Sequence, residues 1–515
     1  MYLTFQSGPE LKGSKNQILT SLLGLSADCR ALSRIDLCLC TDQEITDALD
    51  KMTHLMNGYL AAGEPGRMDE VIRLQSSLLS QARERELMTT VPCSFYETWF
   101  LRTQAMFYEL REQRQTAADY FYRFSEAEQR CFYMISQDGG LENEQKKYLV
   151  WMCLRGLREA LRSLDAVGAA ERSREILQRC GDRAEWLMPY SAGDFELLRK
   201  LTEIYSGLGG PMYFHGSPKI GREYFDKAIA MFRYLARAYK SEHCLIMALW
   251  TKALWATQES MYLNNHRLLT ECRNELRRVL DSREFAPADQ AIAAAAKGIT
   301  VAQMANCLLQ RNRDQKGLQA AQQSCRQLKN ALEGLNAELE FGMGSCEKGT
   351  IQAIGSHVFG CYAGALDTLG VLQYRMGQWE NARQTLLKAI EVLDTQSRYH
   401  GAKTMADQIR AECCEYLGLI YNNWKDGEQA LFYCEYAILY AKSSNLTARL
   451  PILIFSGTLA SEILMDQKKK ERACYYAQTG LDACRELAAV EPDHQILSLE
   501  ENLRKVLKKA SRKFF

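Results

Sequence analysis

Helix-breaking residues are scarce in this chain. Its 515 residues include only 9 prolines, and no long polar tract separates compositionally different parts. Flexible linkers are rich in Gly, Ser or Pro, so a string of loosely tethered domains is excluded. With 47% hydrophobic residues and abundant Ala, Leu, Arg, Gln and Glu, the composition favours helix throughout. We expect an all-α protein with one extended architecture.

Motifs for metal binding and catalysis are also missing. The 18 cysteines include no C-x-x-C pair, and the seven histidines show no H-x-x-x-H or H-E-x-x-H spacing. There is no G-x-S-x-G elbow. The segment 342–350, GMGSCEKGT, lacks the Gly-Lys-Ser/Thr order of a phosphate loop, and we expect it to lead into a helix beginning near Lys348. We predict no metal, no cofactor and no enzymatic activity, although a triad assembled only in space would escape this search.

Net charge and long apolar runs are lacking as well. The chain carries 64 basic and 63 acidic residues, so no overall field draws it to nucleic acid or an anionic membrane. The longest apolar stretches, interrupted by Lys297 and Glu462, fall short of the roughly 20 residues that span a membrane. The run 18–25 before Cys29 is a weak lipoprotein signal, and Asp28 argues against it. We expect a soluble protein.

The cysteines indicate the cellular compartment. A chain of this size can bury an adequate core without disulfides. We therefore expect most of the cysteines to be reduced and buried as small hydrophobic residues, as at Cys434. A disulfide framework is the less favoured alternative, and the cytoplasm is the expected location.

The segment 365–393, ALDTLGVLQYRMGQWENARQTLLKAIEVL, carries the clearest pattern. Its small and large apolar residues recur at the spacing of two antiparallel helices. The segment resembles a tetratricopeptide repeat (TPR), with the patterned places at Leu369, Gly370, Gly377, Trp379, Ala382, Leu386 and Ala389. We expect Gly370, Ala382 and Ala389 to be small because neighbouring hairpins press together there.

The same pattern extends along the chain. It fits well at 416–438, more weakly at 460–481, and also at 201–229 with an inserted loop at 207–219. Helical periodicity without the signature continues over 44–88, 95–136, 141–188, 241–281 and 286–338. The resemblance implies an all-α, right-handed superhelical solenoid of about nine antiparallel helix pairs with a capping helix.

We divide the chain on this basis. Residues 1–40 form an irregular segment, 41–340 divergent TPR-like repeats, 341–490 clearer repeats, and 491–515 a capping helix with a basic tail. Helix starts are predicted from three capping boxes and one proline: Thr41 with Glu44, Ser94 with Glu97, Ser498 with Glu501, and Pro287.

The first ninety residues give a second resemblance. The stretch 15–52, with LLGLS at Leu22–Ser26, and the helix of 67–81 resemble the junction between a helix-turn-helix domain and a TPR sensor region in bacterial regulators. The chain before Leu22 is too short for a DNA-binding domain. The resemblance implies a sensor region that lacks its own DNA-binding domain. The alternative is that the helical pattern matches by coincidence.

Candidate ligand-binding residues follow from the TPR resemblance, because first helices line the concave groove in that family. The groove candidates are Asp367, Val371, Tyr374, Arg375, Glu415, Tyr416, Asn422 and Asn423. Asn can donate and accept hydrogen bonds to a peptide backbone, and Arg can form two bonds to a carboxylate. The alternative is that these polar residues are simply solvated.

Two further segments have alternative interpretations. Tyr213, Phe214 and His215 form a candidate lid, because exposed aromatics need a packing partner; alternatively, Tyr213 and Phe214 lie between helices. The tail 503–515 is a basic amphipathic helix that fits a cover over the last repeat, or an anionic membrane or nucleic acid.

Three functions are consistent with these patterns. The leading hypothesis is a non-catalytic TPR-like scaffold that binds a protein or peptide in its groove. The second is the peptide-responsive sensor portion of a bacterial transcriptional regulator, and the third is an α-helical enzyme with a deep pocket. We expect no direct nucleic-acid binding, and a homo-oligomer is left open.

Overall fold

A computed structural model describes residues 24–27, 37–341, 348–395, 403–443, 448–489 and 494–511. Every regular element in these ranges is a helix. The chain divides into two compact units, an N-terminal unit, Met1–Gly221, and a C-terminal unit, Arg222–Phe515. The division falls inside the stretch 41–340, which the sequence pattern treats as one series of repeats.

The N-terminal unit is built from consecutive helices. They are α1 (Asp42–Ala61), α2 (Met68–Glu84), α3 (Val91–Leu110), α4 (Arg114–Gln137), α5 (Asn143–Ala166), α6 (Ala170–Leu187), α7 (Phe195–Phe214) and the first turn of α8 (Pro218–Ala238). Helices α1 and α2, α3 and α4, and α5 and α6 pack as pairs. Each odd-numbered helix is the first of its pair.

The C-terminal unit continues the same arrangement. It contains the rest of α8 and then α9 (Glu242–Leu263), α10 (Arg267–Leu280), α11 (Pro287–Gln310), α12 (Asp314–Phe341), α13 (Lys348–Arg375), α14 (Trp379–Asp394), α15 (Lys403–Asn423), α16 (Gly427–Ser443), α17 (Arg449–Asp466), α18 (Lys470–Ala488) and α19 (His494–Ser511). From α9 onward, each first helix contacts both its own second helix and the next first helix. The predicted all-α fold of antiparallel helix pairs followed by a terminal helix is confirmed.

Glycines set the close approach of the helices. A methyl group added at Gly370 would lie 2.6 Å from Leu386 Cγ, and one at Gly418 would lie 2.9 Å from Cys434 Sγ. Both contacts join the two helices of one pair. The expectation that Gly370 is small because neighbouring hairpins press together there is therefore wrong, since the bulky partner comes from the second helix of the same hairpin. Gly377, with φ of 73°, allows the turn between α13 and α14.

Helix starts agree with the sequence only in part. Thr41 and Glu44 form the predicted capping box, with Glu44 N donating to Thr41 Oγ1 over 3.3 Å. Pro287 occupies the first turn of α11 as predicted. Ser94 and Ser498 are not N-caps, because α3 begins at Val91 and α19 begins at His494.

The insert 207–219 is largely helical, so the predicted loop is wrong. Helix α7 continues through Pro211 to Phe214. A methyl group added at Gly221 would lie 2.7 Å from both Gly209 O and Tyr213 Cδ2. Glycine therefore allows α7 and the start of α8 to lie in contact. A Gly-Gly-Pro run indicates a loop when only local sequence is considered, but burial of Met212 and Tyr213 stabilises the helix.

The terminal helix α19 covers the last pair. Leu503 is fully buried against Gly480, Leu481 and Cys484. Its neighbours Val506 and Leu507 are partly buried in the same cluster. This packing matches the predicted capping role. Residues 512–515 of the basic tail lie outside the described residues.

The state of the cysteines and the apolar character of α11 bear on two of the expectations from the sequence. The sixteen described cysteines are free thiols and most are buried, as expected. By length and composition alone α11 is apolar enough to cross a membrane, although 61% of its most apolar window is buried within the structure. Lys297 interrupts the apolar stretch of this helix, and for that reason we expected no membrane span there. Of the LLGLS segment, residues 24–26 are helical and the rest lies outside the described residues.

Candidate functional site

The groove candidates lie on α13 and α15, two first helices in contact. Asp367 and Tyr374 are seven residues apart on α13, and Tyr416 and Asn423 are seven apart on α15, so each pair shares one helix face. Glu412 lies one turn before Tyr416 on that face. Polar and aromatic groups of two repeats are thereby brought together.

Three carboxyl groups form the centre of this region, which we call the acidic cluster: Asp367, Glu412 and Glu415. The Asp367 and Glu412 carboxyls lie close enough to affect each other's pKa. Cys413 Sγ donates to Asp367 Oδ1 over 3.3 Å. Glu412 is not among the residues nominated from the sequence, and its only local signal is its spacing of four residues before Tyr416.

Burial and neighbouring charge raise the pKa values of the acidic cluster. Burial, followed by the negative charge of Glu412, raises the pKa of Asp367 well above its usual range. Burial also raises the pKa of Glu412. For Glu415, burial and then the charge of Glu412 raise the pKa to about 8. The Glu415 carboxyl is therefore mostly protonated at neutral pH and can donate a hydrogen bond.

A buried amide lies beside the acidic cluster. Gln408 precedes Glu412 by one turn of α15 and is only 6% exposed. Neither its amide nitrogen nor its amide oxygen has a hydrogen-bond partner among the described residues. Since an unpaired buried amide is costly, Gln408 has hydrogen-bonding capacity that a ligand could use.

Aromatic and amide side chains continue the site along the two helices. The Tyr374 and Tyr416 rings meet edge to face, with centroids 5.5 Å apart. Asn423 Nδ2 donates to the Tyr374 hydroxyl over 3.4 Å. Asn422 and Asn423 are exposed, whereas both tyrosines are partly buried. This end of the site is open to solvent and offers donors, acceptors and ring faces.

Two groove candidates have other roles. Val371 is only 6% exposed and belongs to the core, because α13 is packed between helices that leave it only a narrow free face. Arg375 Nη1 donates to Leu309 O over 3.2 Å and to Asn312 Oδ1 over 3.3 Å. Through Nη1 the guanidinium thus binds the turn after α11, while the side chain remains 38% exposed.

The candidate lid residues lie at the end of a helix in the N-terminal unit. Tyr213 and His215 are buried, and His215 Nε2 lies 3.2 Å from Asp165 Oδ1. Phe214 is 53% exposed. A flexible lid is therefore not found, and of the two aromatics only Tyr213 lies between helices as the alternative expected.

No other arrangement indicates a metal or a catalytic pocket at this site. Within the described ranges, no group of three or more His, Cys, Asp or Glu side chains could hold a metal ion. A cleft of about 300 Å³ lies elsewhere in the C-terminal unit, lined by residues that include Arg283, Lys297 and Gln327. Its lining contains no Ser, Cys or His that could act as a nucleophile or base.

Comparisons with known proteins give structural likenesses only. No protein-family model and no curated protein matches the chain. Similar solved structures include a designed circular tandem repeat protein, at 13% identity with 91% of this chain and 96% of that chain covered and a TM-score of 0.23. The Cut9–Hcn1 hetero-tetramer of APC/C matches at 11% identity over 96% and 95%, with a TM-score of 0.27. Yeast Tom70 matches at 10% identity over 96% and 97%, with a TM-score of 0.34. At these scores the fold assignment rests on the helix pairs and their contacts, and no family is assigned.

Proposed function

We propose that the chain is a non-catalytic helical-repeat scaffold that binds an extended segment of a partner protein along α13 and α15. The observation that carries this proposal is the convergence of Asp367, Glu412, Tyr374, Tyr416 and Asn423 on adjoining faces of two first helices. Buried polar groups are normally satisfied within a protein, yet this region keeps unused hydrogen-bonding capacity at Gln408.

The chemistry of the site suits a peptide backbone. Neutral carboxyls donate to carbonyl oxygens, and the Asn422 and Asn423 amides both donate and accept. The Tyr374 and Tyr416 rings add apolar contact and a hydroxyl. Because Glu415 has a pKa of about 8, binding should weaken above that pH, where the cluster becomes negatively charged and loses its donors.

The test begins with the full chain and a partner segment identified by capture and mass spectrometry, then prepared as a peptide. Titration calorimetry would compare wild type with the double variant Asn422→Ala, Asn423→Ala. We expect about tenfold or greater loss of affinity, since each hydrogen bond contributes about 0.5–1.5 kcal/mol. The melting temperature should not change, because both side chains are exposed.

Asn381 provides the matched control. It is an exposed Asn on α14, the second helix of a pair in the same unit. Asn381→Ala should leave the affinity unchanged. Equal losses in the control and in the double variant, or a fall in melting temperature that accounts for the lost binding, would contradict the assignment to α13 and α15.

A further inference from the structure

A second cluster of reactive side chains lies in the C-terminal unit, apart from the residues assigned to partner binding. Ser260 at the end of α9, His266 just before α10, and Gln303 and Cys307 on α11 converge there. Cys307 Sγ lies 3.2 Å from His266 Nδ1 and 3.2 Å from Ser260 Oγ. Nothing in the proposed scaffold function uses this arrangement.

The contacts of this cluster allow an arrangement in which Cys307 faces a base. Gln303 Nε2 donates to Ser260 Oγ over 3.2 Å. Ser260 Oγ lies 2.9 Å from His266 Nδ1 and 3.2 Å from Cys307 Sγ, so its hydroxyl can donate to either atom. When it donates to Sγ, His266 Nδ1 is the acceptor for the thiol proton. The arrangement therefore provides a base beside the sulfur and a donor to the thiolate, which are the requirements for activating a cysteine.

Charge and access support the same chemistry. Burial, followed by the positive charge of Arg311, lowers the pKa of His266, which favours the neutral imidazole that can accept a hydrogen bond from the thiol. Cys307 is only 7% exposed, but Asn264 and Asn265 in the turn beside it are exposed. Access is thus restricted to a small reagent.

We propose that Cys307 is a modification site at which the thiol reacts with hydrogen peroxide to form a sulfenic acid. His266 Nδ1 takes the thiol proton, and the thiolate attacks one peroxide oxygen. An S–O bond forms as the O–O bond breaks, and the departing hydroxide takes the proton from His266 to become water. The sulfur is oxidised by two electrons and the peroxide is reduced.

The same unit contains a built-in comparison. Cys361 Sγ lies 3.5 Å from His357 Nε2, so it also contacts an imidazole. Burial raises the pKa of the Cys361 thiol to about 12 and lowers the pKa of His357 to about 4. That thiol stays protonated at neutral pH and should be unreactive.

The test uses the intact chain treated with low hydrogen peroxide at pH 7 and then with a 1,3-diketone probe that labels sulfenic acids. Mass spectrometry would measure labelling at each cysteine. We expect Cys307 to be labelled at least about tenfold more than Cys361, given the usual contribution of a positioned base. His266→Asn should lower labelling at Cys307 by a similar factor and leave Cys361 unchanged.

The comparison within the wild-type chain needs no variant, so a folding defect in His266→Asn would not block the test. Equal or lower labelling of Cys307 than of Cys361 would overturn the proposal. Unchanged labelling in a folded His266→Asn chain would also overturn it, because the imidazole would then have no role. Neither result bears on partner binding at α13 and α15.

Discussion

The two units bury charged side chains in different ways. In the N-terminal unit, Arg183 and Glu128 are almost fully buried and form two hydrogen bonds of 2.7 and 3.1 Å. The Arg183 guanidinium also lies 3.5 Å from the centre of the Phe132 ring. In the C-terminal unit, Asp367, Glu412 and Glu415 are gathered together, and burial raises the pKa of each carboxyl, to about 8 for Glu415.

The two units thus differ in whether a buried charge is neutralised by a counterion or by a proton. A counterion satisfies a buried charge permanently, as Glu159 does for Arg102 through bonds of 2.6 and 2.7 Å. A bound proton satisfies it only within a pH range and leaves lone pairs and a donor available. The first arrangement fixes helix packing, whereas the second makes the hydrogen-bonding groups of the α13–α15 face sensitive to pH.

The largest expected effect on stability comes from breaking the buried Arg183–Glu128 ion pair. Glu128→Gln should lower the free energy of unfolding of the N-terminal unit by about 3–5 kcal/mol, because Arg183 would remain buried without its counterion. Urea unfolding would measure this change. Asp119→Asn is the control, since the Asp119–Arg172 pair is about half exposed and should contribute little. If both variants lowered the free energy of unfolding equally, burial would not determine how much each ion pair contributes to stability.

The next effect tests close packing in each unit. Gly370→Ala should destabilise the C-terminal unit by about 1–3 kcal/mol, because the new methyl group would lie 2.6 Å from Leu386. Gly156→Ala should do the same in the N-terminal unit, where Phe124 Cζ would be 2.4 Å away. Thermal unfolding would measure both changes.

Gly349→Ala is the control for these two variants. It lies in the first turn of α13 with nothing within 4 Å of an added methyl group. Helix propensity alone should make this change neutral or stabilising by up to about 1 kcal/mol. If Gly370→Ala were also stabilising, the proposed close approach of α13 and α14 would be contradicted.

A smaller effect concerns pH. Between the ordinary Glu pKa of 4.5 and about 8, the folded state holds a proton on Glu415 that the unfolded state releases. The stability of the C-terminal unit should therefore be greatest at or below about pH 4.5 with respect to this group, and fall as pH rises to about 8. The loss should be of the order of 1 kcal/mol after allowing for relaxation and solvent.

Glu415→Gln should flatten that part of the pH profile, because the amide stays neutral at every pH. Urea unfolding at intervals between pH 5 and pH 9 would show the difference. A wild-type profile that rises across this range would contradict the assignment of protons to the acidic cluster.

The smallest expected effect tests whether Arg375 neutralises part of the charge of the acidic cluster. Arg375→Ala should cost only about 0.5 kcal/mol, because the side chain is partly exposed and bonds to Leu309 O and Asn312. The pH profile of the C-terminal unit should keep its shape. A clear shift of that profile would mean that Arg375 partly neutralises the carboxyls, and the contrast between the units would weaken.

The accuracy of the sequence-based predictions depended on how local each interaction was. The pair α13–α14 was predicted well because its glycine and alanine spacing repeats within about one hairpin. Gly298 and Gly457 have the same role, with added methyl groups 2.7 Å from Leu328 and 2.9 Å from Tyr476 O, but they lie in segments without a clear signature. Only the C-terminal part of helix α7, from residue 207 to Phe214, was missed, because burial outweighed the turn preference of Gly-Gly-Pro.

The candidate site was predicted in outline only. Tyr374, Tyr416 and Asn423 are brought together as expected, since helical spacing determines which residues share a face. The burial of Val371 and the bonding of Arg375 depend on neighbouring pairs and have no local signal. The contact between Cys307 and His266 joins residues 41 positions apart, and no motif marks it.

Sequence alone determined the all-helical character, most hairpin limits and the faces that the apolar residues form, because these follow from propensity and from a period of 3.6 residues along one segment. Tertiary structure decided the division at Gly221, the partner of each glycine, and the raised pKa values of Asp367, Glu412 and Glu415. Those features depend on distances between segments far apart in the chain and on the exclusion of water, and neither quantity can be read from the order of residues.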